Sequence, residues 1–232
     1  AFVTPLKDAG LITDAEFNAA AGVLLGLQGD IVEQANVAGT TKAYCDPCDR
    51  IGGNAAGKPY EISVAELRKS FEPVELVAVN QCSGNGRGLF QPRVTGGQLG
   101  NGAMGNARWV GARLKDVLAR AQPTGAARQV TFDGLDFALL GGGDFTKALD
   151  FGHAMDGEVL IAWQMNGADL PLLNGYPVRL VVPGYFGTYW VKHLSEIEVI
   201  DHVFDGHDAL FMTTAYRVPD NDCQCVAPGS AA

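Results

Sequence analysis

Cys82 stands where an apolar run, VELVAVN (74–80), gives way to QCSGNGRG, with Arg87 five residues beyond the sulfur. That pairing can do chemistry. A thiolate is a metal ligand and a nucleophile, and reactive cysteines are found in positive surroundings such as a guanidinium supplies. Gly84, Gly86 and Gly88 leave the backbone bare enough to approach a bulky ligand. A soft thiolate beside a cation that can hold an anion suits a soft metal centre acting on an oxyanion. The competing reading is an inert small hydrophobe, the usual fate of a lone cysteine.

Other spacings carry less. Gly100, Gly102 and Gly105 spell G-x-G-x-x-G, but a dinucleotide fingerprint needs a strand before it and a helix opening on it. Here GGQL precedes and NARWVG follows, so no nicotinamide site is expected. Cys45-Asp-Pro-Cys48 lacks the following His of a haem attachment site, and Cys223-Gln-Cys225 has one intervening residue where a zinc pair needs two or more. Loop thiols or disulfides are the plain reading of both. The four histidines show no metal-ligand spacing, and no G-x-S-x-G turn is present.

The elements that must position Cys82 can be read around it. Thr13 with Glu16 opens a helix over 13–26, and Ser63 with Glu66 caps a second over VAELRKSF. LKDVLARA (114–121) is a third, amphipathic helix, while most of 27–62 reads as loop and 91–108 as turns. QVTFDG and LDFALL flank a glycine turn, with another at Gly141–Gly143, and EVLIAWQMNG, PVRLVVPG and YWVKHLSEIEVID are strand-like runs split by Asn-Gly, Pro-Gly and Gly-Thr turns. Helices and strands do not alternate regularly, so the expected class is α+β with a mixed sheet.

Composition narrows the function. The 232 residues are 47% hydrophobic, enough for a sizeable core and too many for disorder. Thirty glycines are about 13%, against roughly 7% in an average protein. Seventeen Lys and Arg against 26 Asp and Glu give a net charge of −9, with no basic run, which argues against nucleic acid. No stretch nears the roughly 18 apolar residues of a membrane helix.

Four segments in order, VELVAVNQCSGNGRG, GNGAMGNARWVGARLKDVL, IAWQMNGADLPLLNGYPVRLVVPGYFGTYWVKHLSEIEVID and TAYRVPDNDC, together resemble the sulfite oxidase family of molybdenum enzymes over roughly residues 57–228. The nearest likeness is to the molybdenum subunit of bacterial sulfite:cytochrome c dehydrogenases. The resemblance implies a molybdopterin-binding catalytic domain over 57–222, an atypical segment over 1–56, and a linker-like tail over 223–232 without the C-terminal dimerisation domain of relatives. It implies one molybdopterin with molybdenum, no haem in this chain, a c-type cytochrome as electron acceptor, sulfite as substrate and a periplasmic location.

Residue by residue, Cys82 matches the cysteine that binds molybdenum, with Ser83 beside it. Arg87 matches an arginine for the sulfite or sulfate anion, and Tyr216 an active-site tyrosine. Arg179 and Lys192 match basic residues that hold the pterin phosphate; Asn174 stands where many relatives have histidine. Asn106 and Arg108 lie in the segment wrapping the cofactor, and Asp136 faces the pterin. Relatives also carry Arg-x-His after a Gly-Leu-Ile-Thr segment; here Gly10–Thr13 is followed by DAEFNAAAG, with neither basic residue. Two alternatives therefore stand beside sulfite oxidation: an S- or N-oxide reductase of the same fold, and a cofactor-binding fragment with impaired turnover.

Overall fold

The computed structural model describes residues 48–91, 93, 96–135, 144–205, 209 and 212. They belong to the compact unit that starts at Cys48. The helix expected over 13–26, the turn at Gly141–Gly143, and two candidate site residues, Asp136 and Tyr216, lie outside the described residues.

Two five-stranded sheets organise the unit. The first runs in the order β2 (Tyr60–Ser63), β1 (Cys48–Gly52), β10 (Leu194–Ile200), β5 (Gln129–Gly134), β6 (Lys147–Asp150). Its β1–β10 pair is parallel and its other pairs antiparallel. The second runs β3 (Val74–Gln81), β4 (Met104–Arg113), β7 (Leu160–Met165), β8 (Ala168–Asp169), with β9 (Arg179–Val181) also pairing β7. Three short helices, α1 (Val64–Ser70), α2 (Leu114–Arg120) and α3 (Phe151–Ala154), complete the described part. Mixed strands with helices between them are the α+β, mixed-sheet class expected from the sequence.

Local signals explain several elements. The Ser63 hydroxyl accepts a hydrogen bond from the Glu66 backbone N–H at 3.1 Å, so the capping box read from the sequence does start α1. In α2, Leu114, Val117 and Leu118 are buried, and Ala121 just beyond continues the stripe. That is the i, i+3, i+4, i+7 spacing of a core-facing helix. Leu67 does the same for α1. Their side chains join Ile51, Ile62, Phe132, Ile161, Leu180 and Trp190 in one continuous core, each large side chain contributing roughly 1.5–3 kcal/mol by leaving water.

Three strands depart from the expectation. The stretch read as loop contains β1 and β2, and the stretch read as turns contains the start of β4. The cause is non-local. Residues 50–52 of β1 align with 196–198 of β10, some 146 residues away, and no window of sequence displays such a partner. In β4 the register with β7 shifts between Val110 and Gly111, where a side chain on Gly111 would sit 2.2 Å from the Ile161 carbonyl oxygen. The strand is built on a glycine because two backbones touch there.

Candidate functional site

The expected strand over 74–80 is β3, and Cys82 emerges one residue past its end. β3–β4 pairing continues beyond the strands as a ribbon. Cys82 N–H donates to the Ala103 carbonyl at 2.9 Å, Gly86 N–H to Gly100 at 3.0 Å and Gly88 N–H to Leu99 at 2.9 Å. Asn85 Oδ1 accepts from Ala103 N–H at 2.8 Å and pins the ribbon's base. Gly100 and Gly102 thus serve this ribbon as turn residues, in accord with setting aside a dinucleotide fingerprint.

On this loop the Cys82 thiol is free and exposed, with the Gly84 N–H aimed at its sulfur at 3.3 Å. Ser83 Oγ is buried and has no hydrogen-bond partner among the described residues. Arg87 opens a 3₁₀ turn, Arg87–Leu89, and its half-buried guanidinium has no ion-pair or hydrogen-bond partner among the described residues. Cys82, Ser83 and Arg87 are therefore brought together by one short loop.

A second cluster gathers Asn174, Arg179 and Lys192. Arg179, on β9, is 5% exposed. A guanidinium so deep needs acceptors, because desolvated charge without partners is costly. It donates to the carbonyls of Asn174 at 2.9 Å, Trp190 at 3.0 Å and Leu180 at 3.4 Å, and lies over the rings of Trp109 at 5.1 Å and Trp190 at 5.8 Å. Burial still pulls its pKa down to about 10. Arg179 is thus a clamp that ties the 172–174 turn to Trp190. Lys192, bridged to Arg179 across an isolated β-bridge, is exposed and donates to the Leu173 carbonyl at 3.0 Å.

The two clusters meet at β3. Trp109 donates its indole N–H to the Ala78 carbonyl at 3.3 Å and packs edge-on to Trp190, centroids 5.7 Å apart. The 3₁₀ turn Gly187–Tyr189 abuts β3 directly: a Cβ on Gly187 would be 2.4 Å from Asn80 Oδ1. Asn80 precedes Cys82 by two residues, so this turn packs against the strand end that carries the thiol. Trp109 belongs to the segment that the resemblance wraps around the cofactor; Asn80 and Gly187 are positioning residues that motif reading missed.

Asn106 and Arg108 lie elsewhere. They are exposed on β4 opposite Val79 and Val77, which are also exposed, while Ala107 between them and Trp109 after them turn toward the core. Arg108 N–H donates to Asn166 Oδ1 at 2.9 Å, its carbonyl accepts from Asn166 N–H at 2.7 Å, and its Nε is 3.9 Å from Glu75. These two are not gathered with Cys82 in the way Ser83 and Arg87 are.

The donor set says what could bind. Among the described residues no group of three or more His, Cys, Asp or Glu could hold a metal ion. One exposed thiol with an adjacent unpaired hydroxyl and cation fits a metal that arrives with its own sulfur ligands on an organic cofactor, and fits an all-protein metal cage badly. The mixed fold and this loop define a cofactor-dependent redox domain.

Comparison with known proteins gives the family. Residues 50–208 match the oxidoreductase molybdopterin binding domain family, and the chain belongs to it. It is 39% identical over 150 residues to the sulfite oxidase of Gallus gallus, covering 62% of this chain and 32% of that protein. It is 39% identical over 153 residues to mitochondrial sulfite oxidase of Homo sapiens, covering 63% and 28%. A nitrate reductase [NAD(P)H] of Hordeum vulgare is 36% identical over 149 residues, 61% of this chain and 17% of that one. The chain matches about a third or less of the length of these relatives. Among solved structures, a chain of the sulfane dehydrogenase SoxCD from Paracoccus pantotrophus superposes with a TM-score of 0.64 at 26% identity, over 79% of this chain and 43% of that one. The sulfite oxidase-type fold and the molybdopterin cofactor expected from the sequence are those of this family.

Proposed function

We propose that this domain oxidises sulfite to sulfate and passes the electrons to a c-type cytochrome. The observation that carries the reading is the Cys82–Arg87 loop, where an exposed thiol and a guanidinium with no partner among the described residues share one ribbon. Kinship with sulfite oxidases at 39% identity supports the substrate class. The cytochrome acceptor and a periplasmic location rest on the resemblance to bacterial sulfite:cytochrome c dehydrogenases.

The reaction adds water oxygen to sulfite and releases sulfate, two protons and two electrons. Cys82 would hold molybdenum, and Ser83 and Lys192 would contact the cofactor together with Asn106, Arg108, Asn174 and Asp136. When bound, the molybdenum supplies two-electron oxygen-atom transfer chemistry. The chain's own part is electrostatic and positional. Arg87 offers an unpaired fork of N–H donors to the anion's oxygens, and charge-assisted bonds of that kind are the strong ones. Tyr216 would add a hydroxyl hydrogen bond near the substrate. Arg179 keeps the 172–174 turn fixed beneath Lys192, so the cofactor's cationic contact does not have to be ordered on binding.

The test is purification from a host that makes molybdopterin, followed by elemental analysis and sulfite-dependent reduction of cytochrome c. Molybdenum bound near one per chain, with turnover abolished in Cys82→Ser, is expected. Full activity in Cys82→Ser would refute the assignment. The kinship with a nitrate reductase favours one second reading, reduction of an oxyanion or oxide. Turnover of nitrate or methionine sulfoxide with a reduced viologen, and none of sulfite, would select it.

A further inference from the structure

The Arg87 guanidinium is held without a counter-charge among the described residues, which leaves the question of what aims it. Its side chain passes between two glycines. A Cβ on Gly96 would lie 2.6 Å from Arg87 Nη1 and 3.2 Å from Cζ; one on Gly84 would lie 3.2 Å from Nη1 and 3.3 Å from Cζ. Both glycines belong to the ribbon described above, which the Gly86–Gly100 and Gly88–Leu99 hydrogen bonds zip together. Gln98 Nε2 braces the Gly96 carbonyl at 2.8 Å from the other side.

We propose that Gly96, assisted by Gly84, is the positioning element that aims Arg87 and so sets how tightly the site holds an oxyanion. The inference rests on the reading of Arg87 as the anion contact. An arginine confined to a slot has given up much of its rotamer freedom beforehand, and the anion need not bear that ordering. The slot also explains which partner yields when it is filled. The atoms a methyl would meet are the far end of a flexible side chain and not backbone, so the perturbation falls on Arg87's aim more than on the fold. Gly96 has φ +104°, so any side chain there also strains the backbone. Gly102 supplies the matching control: its φ is +98°, and a Cβ there meets nothing within 4 Å.

The experiment uses the full chain loaded with cofactor, with inorganic sulfate as the probe by calorimetry, and sulfite kinetics alongside. Gly96→Ala is expected to weaken sulfate by about tenfold and raise the KM for sulfite by a like factor, with kcat and molybdopterin content close to the wild type. Gly102→Ala lowers thermal stability as much and leaves sulfate affinity alone. Gly84→Ala, which adds the methyl at a longer distance and without the backbone strain, weakens sulfate by a smaller factor and guards against a poorly folded Gly96→Ala. In an Arg87→Gln background, Gly96→Ala has no further effect on sulfate, because the two changes act on one contact. Equal sulfate affinities in Gly96→Ala and Gly102→Ala, or additive losses with Arg87→Gln, would overturn the cradle while sparing Arg87 as the anion contact. Absence of any sulfate or sulfite binding by the wild type would overturn both.

Discussion

Arg87 and Arg179 are the same residue put to opposite uses. Arg179 sits in the core, its donors taken up by the carbonyls of Asn174, Leu180 and Trp190 and its faces covered by two tryptophans. Arg87 sits in a glycine slot with no partner among the described residues. The first spends its hydrogen-bonding capacity on the fold; the second has it spare for the anion of the proposed function. The difference teaches that a basic residue matching a family motif is not thereby a ligand contact: what its N–H groups already hold decides how much remains.

The strongest way to break this comparison is to remove Arg179. Arg179→Leu leaves the Asn174 and Trp190 carbonyls buried without a donor, and a loss of about 3 kcal/mol of unfolding free energy is expected in a urea titration. A near-zero change would mean that the clamp is idle. Asp49 sharpens the point from the other side. It is fully buried on β1, neither of its oxygens has a hydrogen-bond partner among the described residues, and burial pushes its pKa up to about 8 from 3.8. The folded chain keeps a proton there that the unfolded chain loses at low pH. Its contribution to stability is therefore complete below pH 3.8 and declines as the pH climbs through about 8. Thermal melts should show the wild type losing stability between pH 5 and pH 8.5, and Asp49→Asn flattening that slope.

Gly187→Ala tests the seam between the two regions. The methyl would press on Asn80 Oδ1, and about 1–2 kcal/mol of destabilisation is expected, together with lower molybdopterin content at equal expression. Unchanged stability and cofactor content would separate the Gly187–Tyr189 turn from the site. The smallest effect on the fold is reserved for Arg87. Arg87→Gln should alter unfolding free energy by no more than about 0.5 kcal/mol, since no protein partner is lost, while sulfate binding collapses. A large stability loss in that variant would erase the contrast with Arg179.

Several elements of the fold were legible in the chain. The Ser63–Glu66 cap, the 114–121 stripe and the apolar run into Cys82 are local patterns, and local hydrogen bonding or one-sided burial is enough to produce them. Strand β1 was not legible: its five residues, CDRIG, have no alternating apolar pattern and become a strand because β10 and β2 flank them. At the site, the thiol and cation could be read from QCSGNGRG. The slot around Arg87 could not, because Gly96 reaches it from a separate segment of the ribbon and its glycine looks like any other in a glycine-rich chain.

The sequence by itself determined the α+β class, the family, the cysteine available to a metal and the arginine beside it, since these are written in residue type and short spacing. Only the tertiary structure decided what each cation does. Whether a guanidinium is spent or spare depends on carbonyls, rings and bare backbone that come from Asn174, Trp190, Trp109 and Gly96, which turns, a ribbon and the paired strands bring against the two arginines. Charge is carried by a residue, but its availability is a property of the packing around it.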